Sequence, residues 1–298
     1  MRVTQMMLGS MLTADLQSVQ TQMLQVQQEL SSGHRIIQPS NDPVGTQNVL
    51  VWQNAIDQNA QYQRNAQNAV GWLQSTDSAL QSAIGLVQQV RTLAVSTSAG
   101  TLTTAEYQAI SDQVTSLLNS LVAVANTKMG DHYLFNGDQT TIAPFTQSGT
   151  SVTFDGTSGN QMREVFPGQS VQANIGGSVF SSAFSAISTM LGYLASPSTA
   201  AQVTQTVGGT ASALQLLDAA LNGLINADGQ AGAQLEQAQN AQSLLTNLGQ
   251  SLQQLQAGTL DANLPKTVVS LQELQVSYQS ALAVGAKLIQ PTLANYLP

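Results

Sequence analysis

The chain has 298 residues, a net charge of −8 and no cysteine, which excludes disulfides, thiol chemistry and cysteine-based zinc sites. Only 8% of its residues are charged and no basic run occurs, against roughly 25% charge in ordinary soluble domains, so a nucleic-acid-binding surface is not expected. Gln, Asn, Ser and Thr stand where Lys and Glu usually sit. Burying a charge is costly unless it is paired, whereas neutral amides satisfy one another, so this composition suits faces that pack against further copies of the chain.

The opening, MRVTQMMLGSMLTADLQ, is mildly apolar. It lacks a long apolar centre and a small-x-small cleavage site, and Asp15 interrupts it, so it is a poor secretory signal. No apolar run approaches the ~18–20 residues of a membrane span. Residues 1–32 carry a stripe of Leu12, Leu16, Val19, Met23, Val26 and Leu30. Steps of four and three make this a coiled-coil seam that needs a partner. Methionines cluster in residues 1–23, either as an adaptable contact surface or as simple packing. The stretch LSSGHRIIQPSNDPVG, residues 30–45, then breaks the period at Gly33, Pro39 and Pro43. Asp42 is placed to cap the next helix, with Pro43 at its first position, where a missing N–H costs nothing.

From Pro43 a helical pattern runs to about Ser98 without proline. Ala69, Leu73, Thr76, Leu80, Ala83, Val87, Val90 and Ala94 form its apolar line, and Gly100 ends it. Thr103 and Glu106 spell a capping box, with Leu102 and Tyr107 as a hydrophobic staple. The next helix carries Tyr107, Ile110, Val114, Leu117, Leu121 and Val124, and is expected to end at Lys128 and Gly130. The two should form an antiparallel hairpin.

From Tyr133 the period changes. Residues 152–154, 162–166 and 171–175 read as short strands, with Asp155-Gly156 and Pro167-Gly168 as turns between them. Gly176-Gly177 reads as a tight turn. Helical patterning resumes near Phe184, with Val203, Val207, Leu214, Leu217, Leu221 and Leu224 on one face. Asp228-Gly229 and Gly232 predict a helix break. Leu235, Ala238, Ala241, Leu245, Leu248, Leu252 and Leu255 continue to Gly258, and Leu264, Val268, Leu271, Tyr278, Leu282 and Ile289 make a second terminal seam before Pro291.

The predicted fold is mainly α with a small β insertion: an elongated helical rod with coiled-coil-forming termini. Residues 1–42 form a terminal coiled-coil segment and linker, 43–137 the first part of the rod, 138–182 the β-rich insertion, 183–258 the second part, and 259–298 the other terminal segment. Both chain ends are expected at one end of the rod, their seams serving as the assembly interface.

No catalytic constellation emerges. His34 lies in a Gly/Pro-flanked loop and His132 follows a helix end; with two histidines and scattered carboxylates there is no metal-ligand spacing. Asp131 beside His132 is polar punctuation before Tyr133 rather than an acid–base pair. There is no phosphate loop and no nucleophile elbow. No cofactor, metal or enzymatic activity is expected.

Residues 30–45 resemble the segment by which the flagellin family joins its terminal helix to its rod. Leu30, Ser31, Ser32, Gly33, Arg35, Ile36, Pro39, Ser40, Asp42, Pro43 and Gly45 fit it, while Asn41 stands where an acidic residue is usual. Gly33, Arg35, Pro39, Asp42 and Pro43 are taken as the linker motif. Within that family, MRVTQMM, GDHYLFNGDQTTIAPF (with Tyr133, Leu134, Phe135, Gly137, Pro144 and Phe145) and the tail PTLANYLP (with Tyr296 and Leu297) resemble the member that joins hook to filament rather than the filament subunit. The segment 152–180 is similar more loosely, and Leu260, Asp261 and Ala262 resemble the family's return into its terminal coiled coil, which Pro265 and Pro291 fit less well. The resemblance implies one long helix across residues 212–257, against the break read at Asp228-Gly229. It also implies an extracellular adapter ring on the bacterial flagellum, exported by the flagellar type III system and folding its termini on assembly. Its partners would be further copies of itself, a neighbouring hook-associated protein, flagellin and an export chaperone. A filament subunit and a secreted coiled-coil adhesin are the alternatives.

Overall fold

Two proline-free stretches become the longest helices of the chain. The computed structural model describes residues 5–97, 102–196, 199–205 and 212–289. The first four residues, Ser98, Gly100, Val207, the side chain of Ile289 and the tail with Pro291, Tyr296 and Leu297 lie outside them. Contacts divide the chain into two units: Met1–Asn59 with Leu248–Pro298, and Ala60–Asn247.

In the first unit, helix α1 (Gln5–Ser32) packs against α6 (Leu264–Ile289). Leu12 meets Gly285 near one end of the pair, and His34 bridges Asp261 past the other, so the two helices run antiparallel. Residues 43–59 of α2 (Pro43–Ser96) and residues 248–260 of α5 (Ala213–Leu260) complete the unit. Gln256 Nε2 donates to Gln53 Oε1 at 2.8 Å between them.

The second unit holds the rest of α2 and α5, helices α3 (Thr104–Ala125) and α4 (Ser181–Leu194), and three two-stranded antiparallel hairpins. These are β1–β2 (Lys128–Met129, His132–Tyr133), β3–β4 (Phe145–Ser148, Ser151–Phe154) and β5–β6 (Met162–Phe166, Gln169–Gln172). Every member of the α2 line from Ala69 to Ala94 is buried, as a 3.6-residue period facing one core demands. Helices α2 and α5 run antiparallel within this unit. Gln63 Nε2 reaches the Leu245 carbonyl at 3.0 Å, and Arg91 Nε pairs with Asp218 Oδ1 at 2.5 Å. One core joins α2, α3, α4 and α5 to a cluster of Phe135, Phe145, Phe180 and Phe184. A second sets Val165, Val171 and Ala173 of the β5–β6 region on Ala66, Ala69 and Leu73 of α2 and Ala238, Ala241 and Leu245 of α5.

The capping box forms as read. Thr103 accepts from the Glu106 N–H at 3.3 Å, and Glu106 accepts from the Thr103 N–H at 2.6 Å. Other expectations are corrected. Helix α5 runs unbroken through Asp228-Gly229, because Ala227 and Ala231 bury against the core on either side and a helical glycine costs only about 1 kcal/mol. Helix α3 ends at Ala125, not at Lys128; Asn126 caps it, and Lys128–Met129 turns through Gly130 at φ 62° into a short hairpin. Asp155-Gly156 is no hairpin turn. Its strand β4 instead pairs backwards with Phe145–Ser148, which the sequence reading passed over. The turn between them carries Gly149 at φ 61°, the left-handed conformation glycine adopts without strain. The strand predicted at 171–175 is Gln169–Gln172. Gly177 makes a close approach rather than a tight turn: a Cβ there would lie 2.5 Å from the Phe135 carbonyl oxygen. Val203 sits in a short 3₁₀ turn, Ala200–Val203, and not on the helix that begins at Ala213.

Candidate assembly surface

The loop between α1 and α2 gathers four chain segments of the first unit. Gly33, at φ 73°, ends α1 in the left-handed conformation, and its N–H returns to the Glu29 carbonyl at 2.9 Å. Beyond it the loop pairs with the α5–α6 connection. Arg35 N–H donates to the Leu260 carbonyl at 2.7 Å, and the Ala262 N–H donates to the Gly33 carbonyl at 2.8 Å. Beside them His34 Nδ1 lies 3.1 Å from Asp261 Oδ1. Arg35 Nη2 bonds Asp42 Oδ2 at 3.0 Å and the Thr259 carbonyl at 2.9 Å. A single guanidinium therefore fastens the start of α2 to the end of α5.

Asp42 serves as the cap that its position promises. Its Oδ1 accepts from the Gly45 N–H at 2.8 Å and its carbonyl from the Thr46 hydroxyl at 2.8 Å. A Cβ on Gly45 would come within 2.4 Å of Asp42 Oδ2 and 2.7 Å of the Ile36 side chain, so this helix turn needs glycine to seat the loop. Ile36 is buried under it. Pro39 stands exposed in the turn between them, and Pro43 opens α2.

The Gly45 N–H, and after it Arg35, holds the Asp42 carboxyl below its ordinary value of 3.8. Because the folded value is the lower one, the stabilisation is fully present above the ordinary value and is lost as pH falls through the depressed one. Amide exchange at Gly45 and Thr46, corrected for intrinsic rates, is accordingly expected to accelerate severalfold below about pH 4. Asp42→Asn should show that faster exchange already at neutral pH, with no further change on acidification. Equal protection in wild type and variant across the range would remove Asp42 from this role.

The α1 seam faces its partner as a half-buried line. Leu12, Leu16, Val19, Met23, Val26 and Leu30 are all partly covered. On α6 the covered line is Thr267, Leu271, Leu274, Tyr278, Ala281 and Gly285. Of the sequence-read seam on that helix, Leu271 and Tyr278 belong to it. Leu264, Val268 and Leu282 stand outside it, at 47%, 43% and 46% exposure. Leu274, Ala281 and Gly285 were missed by the sequence reading. The helix is apolar on more than one side, so spacing alone could not choose between lines. Gly285 is set by closeness: a Cβ there would lie 2.4 Å from Leu12 Cδ2. Outward from the pair, α6 shows Val269, Val276 and Val284. Only Lys266, Glu273 and Lys287 carry charge along the helix. Asn263 caps its start by accepting from the Lys266 N–H at 3.2 Å, which accommodates Pro265 in the first turn.

Among the described residues no three His, Cys, Asp or Glu side chains gather as a metal site, and no helix is long and apolar enough to cross a membrane. His132 Nδ1 bonds the Thr140 hydroxyl at 2.7 Å, a structural contact of the β1–β2 hairpin.

Comparison with known proteins bears on the same segments. Residues 3–140 match the family described as the bacterial flagellin N-terminal helical region. Flagellar hook-associated protein 3 of Escherichia coli is 28% identical over 129 residues, 43% of this chain and 41% of that protein. A flagellin of Clostridium tyrobutyricum is 34% identical over 100 residues, 34% of this chain and 26% of its own length. The matched stretches thus span less than half of either curated relative. The crystal structure of Xanthomonas campestris FlgL superposes with a TM-score of 0.62 at 20% identity, over 69% of this chain and 99% of that one. At that identity the likeness speaks to the fold.

Proposed function

We propose that this chain, whose residues 3–140 match the bacterial flagellin N-terminal helical region, is a flagellin-family protein and a structural subunit of the bacterial flagellum that forms an adapter ring between hook and filament. The observation carrying the reading is the antiparallel pair α1–α6. One apolar line is spent within the pair, while Leu264, Val268, Val269, Val276 and Leu282 remain between 43% and 63% exposed. An apolar surface of that extent on terminal helices suits neighbours of the same kind. The low charge of the chain suits it too, since few ionic groups need be stripped of water on packing. The named hook-associated relative and the FlgL-like fold support the junction role over the filament role.

The remaining elements follow from that reading. The outward apolar face of the terminal pair, Leu264, Val268, Val269, Val276 and Leu282, packs against neighbouring copies, and the terminal helices order fully on assembly, which couples folding to incorporation. Subunits leave the cell through the flagellar type III channel, held beforehand by an export chaperone. In the flagellum they sit between another hook-associated protein and flagellin. The segment 138–182, with hairpins β3–β4 and β5–β6, is the part open to external probes. A filament subunit is the second reading, favoured by the 34% identity to a flagellin.

Immunogold electron microscopy of intact flagella, with an antibody against residues 138–182, tests this. Label confined to the point where hook meets filament is expected. Label along the whole filament would make the chain a flagellin, and unlabelled flagella would reject both readings.

A further inference from the structure

Asp228 and Gly229 mark the one place where helical patterning falters within α5, and the assembly reading makes no use of them. Asp228 Oδ1 is enclosed and accepts no hydrogen bond. Across the helix interface it faces the carboxyl of Asp77 on α2, within hydrogen-bonding reach. Gln81 Nε2 donates to Asp77 Oδ2 at 3.0 Å, so that oxygen is already engaged as an acceptor. The same turns of α5 hold Gly229 and Gly232. A Cβ on either would meet nothing within 4 Å, so packing does not require glycine there and each only weakens the helix. The buried side chains α5 contributes at this level are alanines, Ala227 and Ala231, which give it little apolar area to hold it shut.

Among the described residues, no cation offsets the pair. Within this unit α2 carries Arg64, Asp77 and Arg91, and α5 carries Asp218, Asp228 and Glu236. Arg91 is taken by Asp218, and Arg64 donates to Gln61 Oε1 at 2.6 Å. Helix α4 has no charged residue, and Lys128 of β1 lies over the Tyr133 ring at 4.4 Å. Asp77 is therefore the charged group that faces Asp228.

We propose that residues 228–232 of α5, set against Asp77 of α2, form a proton-operated hinge. With both carboxylates ionised they repel and the turn opens locally; with one proton shared between them, a carboxyl–carboxylate hydrogen bond closes it. The inference stands independently of the flagellar role. Burial first, and then the Asp77 charge, raise the Asp228 carboxyl above its ordinary 3.8. A folded value above the unfolded one means that closure is favoured at low pH and is lost as pH rises through the raised value.

Hydrogen exchange of the amides of residues 226–234 in the full chain, corrected for intrinsic rates, reads this opening. Between pH 4 and pH 8 the wild-type opening constant is expected to rise severalfold, as the raised carboxyl gives up its proton. Asp228→Asn and, separately, Asp77→Asn should flatten that dependence. Gly229→Ala should lower opening roughly fivefold at every pH while keeping its slope. A wild-type opening constant that does not change with pH would overturn the proposal. So would an unchanged slope in both carboxylate variants, each checked for native helicity by circular dichroism.

Discussion

Replacing Phe180 with alanine is expected to destabilise the Ala60–Asn247 unit by about 3–5 kcal/mol. Phe180 is fully buried at the end of the 3₁₀ turn that enters α4. Its ring meets Phe135 edge-on at 4.8 Å and Phe145 edge-on at 5.8 Å, and stacks with Phe184 at 6.3 Å. Phe145 in turn contacts Phe154 at 5.2 Å and Phe184 at 5.1 Å. One side chain therefore joins the β3–β4 hairpin, the segment after β2 and α4. Its removal loses both buried area and favourable ring–ring geometry. The neighbours cannot collapse into the void: Gly177 already lies against the Phe135 carbonyl and the Phe154 ring. At roughly 2–4 °C per kcal/mol for a unit of this size, the melting temperature should fall by about 10 °C. Ile142→Ala, at a side chain 59% exposed, should stay within about 0.5 kcal/mol. A loss below about 1 kcal/mol for Phe180→Ala would mean that the aromatic cluster is not what holds the hairpins to the helices.

Leu16→Asp is expected to abolish incorporation into the flagellum while leaving the unfolding of the second unit unchanged. Leu16 lies on the half-buried α1 line that packs against α6. A carboxylate there has no cation within the covered line, and an unpaired buried charge costs several kcal/mol. Incorporation is read by gold label on flagella of a strain carrying only the variant, and unfolding by thermal melts of purified chain. Leu16→Met, similar in volume and polarity, should assemble normally. Leu282→Asp separates the two sides of α6: its side chain is 46% exposed, so the α1–α6 pair should survive while assembly fails. Normal incorporation of both aspartate variants would remove the terminal helices from the assembly surface.

Local rules were legible where one residue's neighbours in sequence are also its neighbours in space. The buried line of α2 from Ala69 to Ala94, the Thr103–Glu106 capping box, the cap at Asp42 and the Pro167-Gly168 turn all belong to that class. Each depends on helical period, on a side chain reaching its own helix end, or on a backbone turn that few residues can make. Of the linker residues, Arg35 stood out only through resemblance to a family, since nothing in its spacing shows that it grips the carbonyl of Thr259, 224 positions away.

What tertiary structure alone decided is which of several local options is used. Asp228-Gly229 carries a real local preference for a break, and the buried alanines around it override that preference by a small margin. Helix α6 offers more than one apolar line, and close approach at Gly285 selects Leu271, Leu274 and Tyr278 over Leu264, Val268 and Leu282. Strand β4 pairs with the strand before it, not after it, because Phe145 and Phe154 meet over the ring cluster of α4. In each case the local free energies differ by about 1 kcal/mol or less. Burial of a few large side chains outweighs that difference, and it is fixed only when distant segments meet.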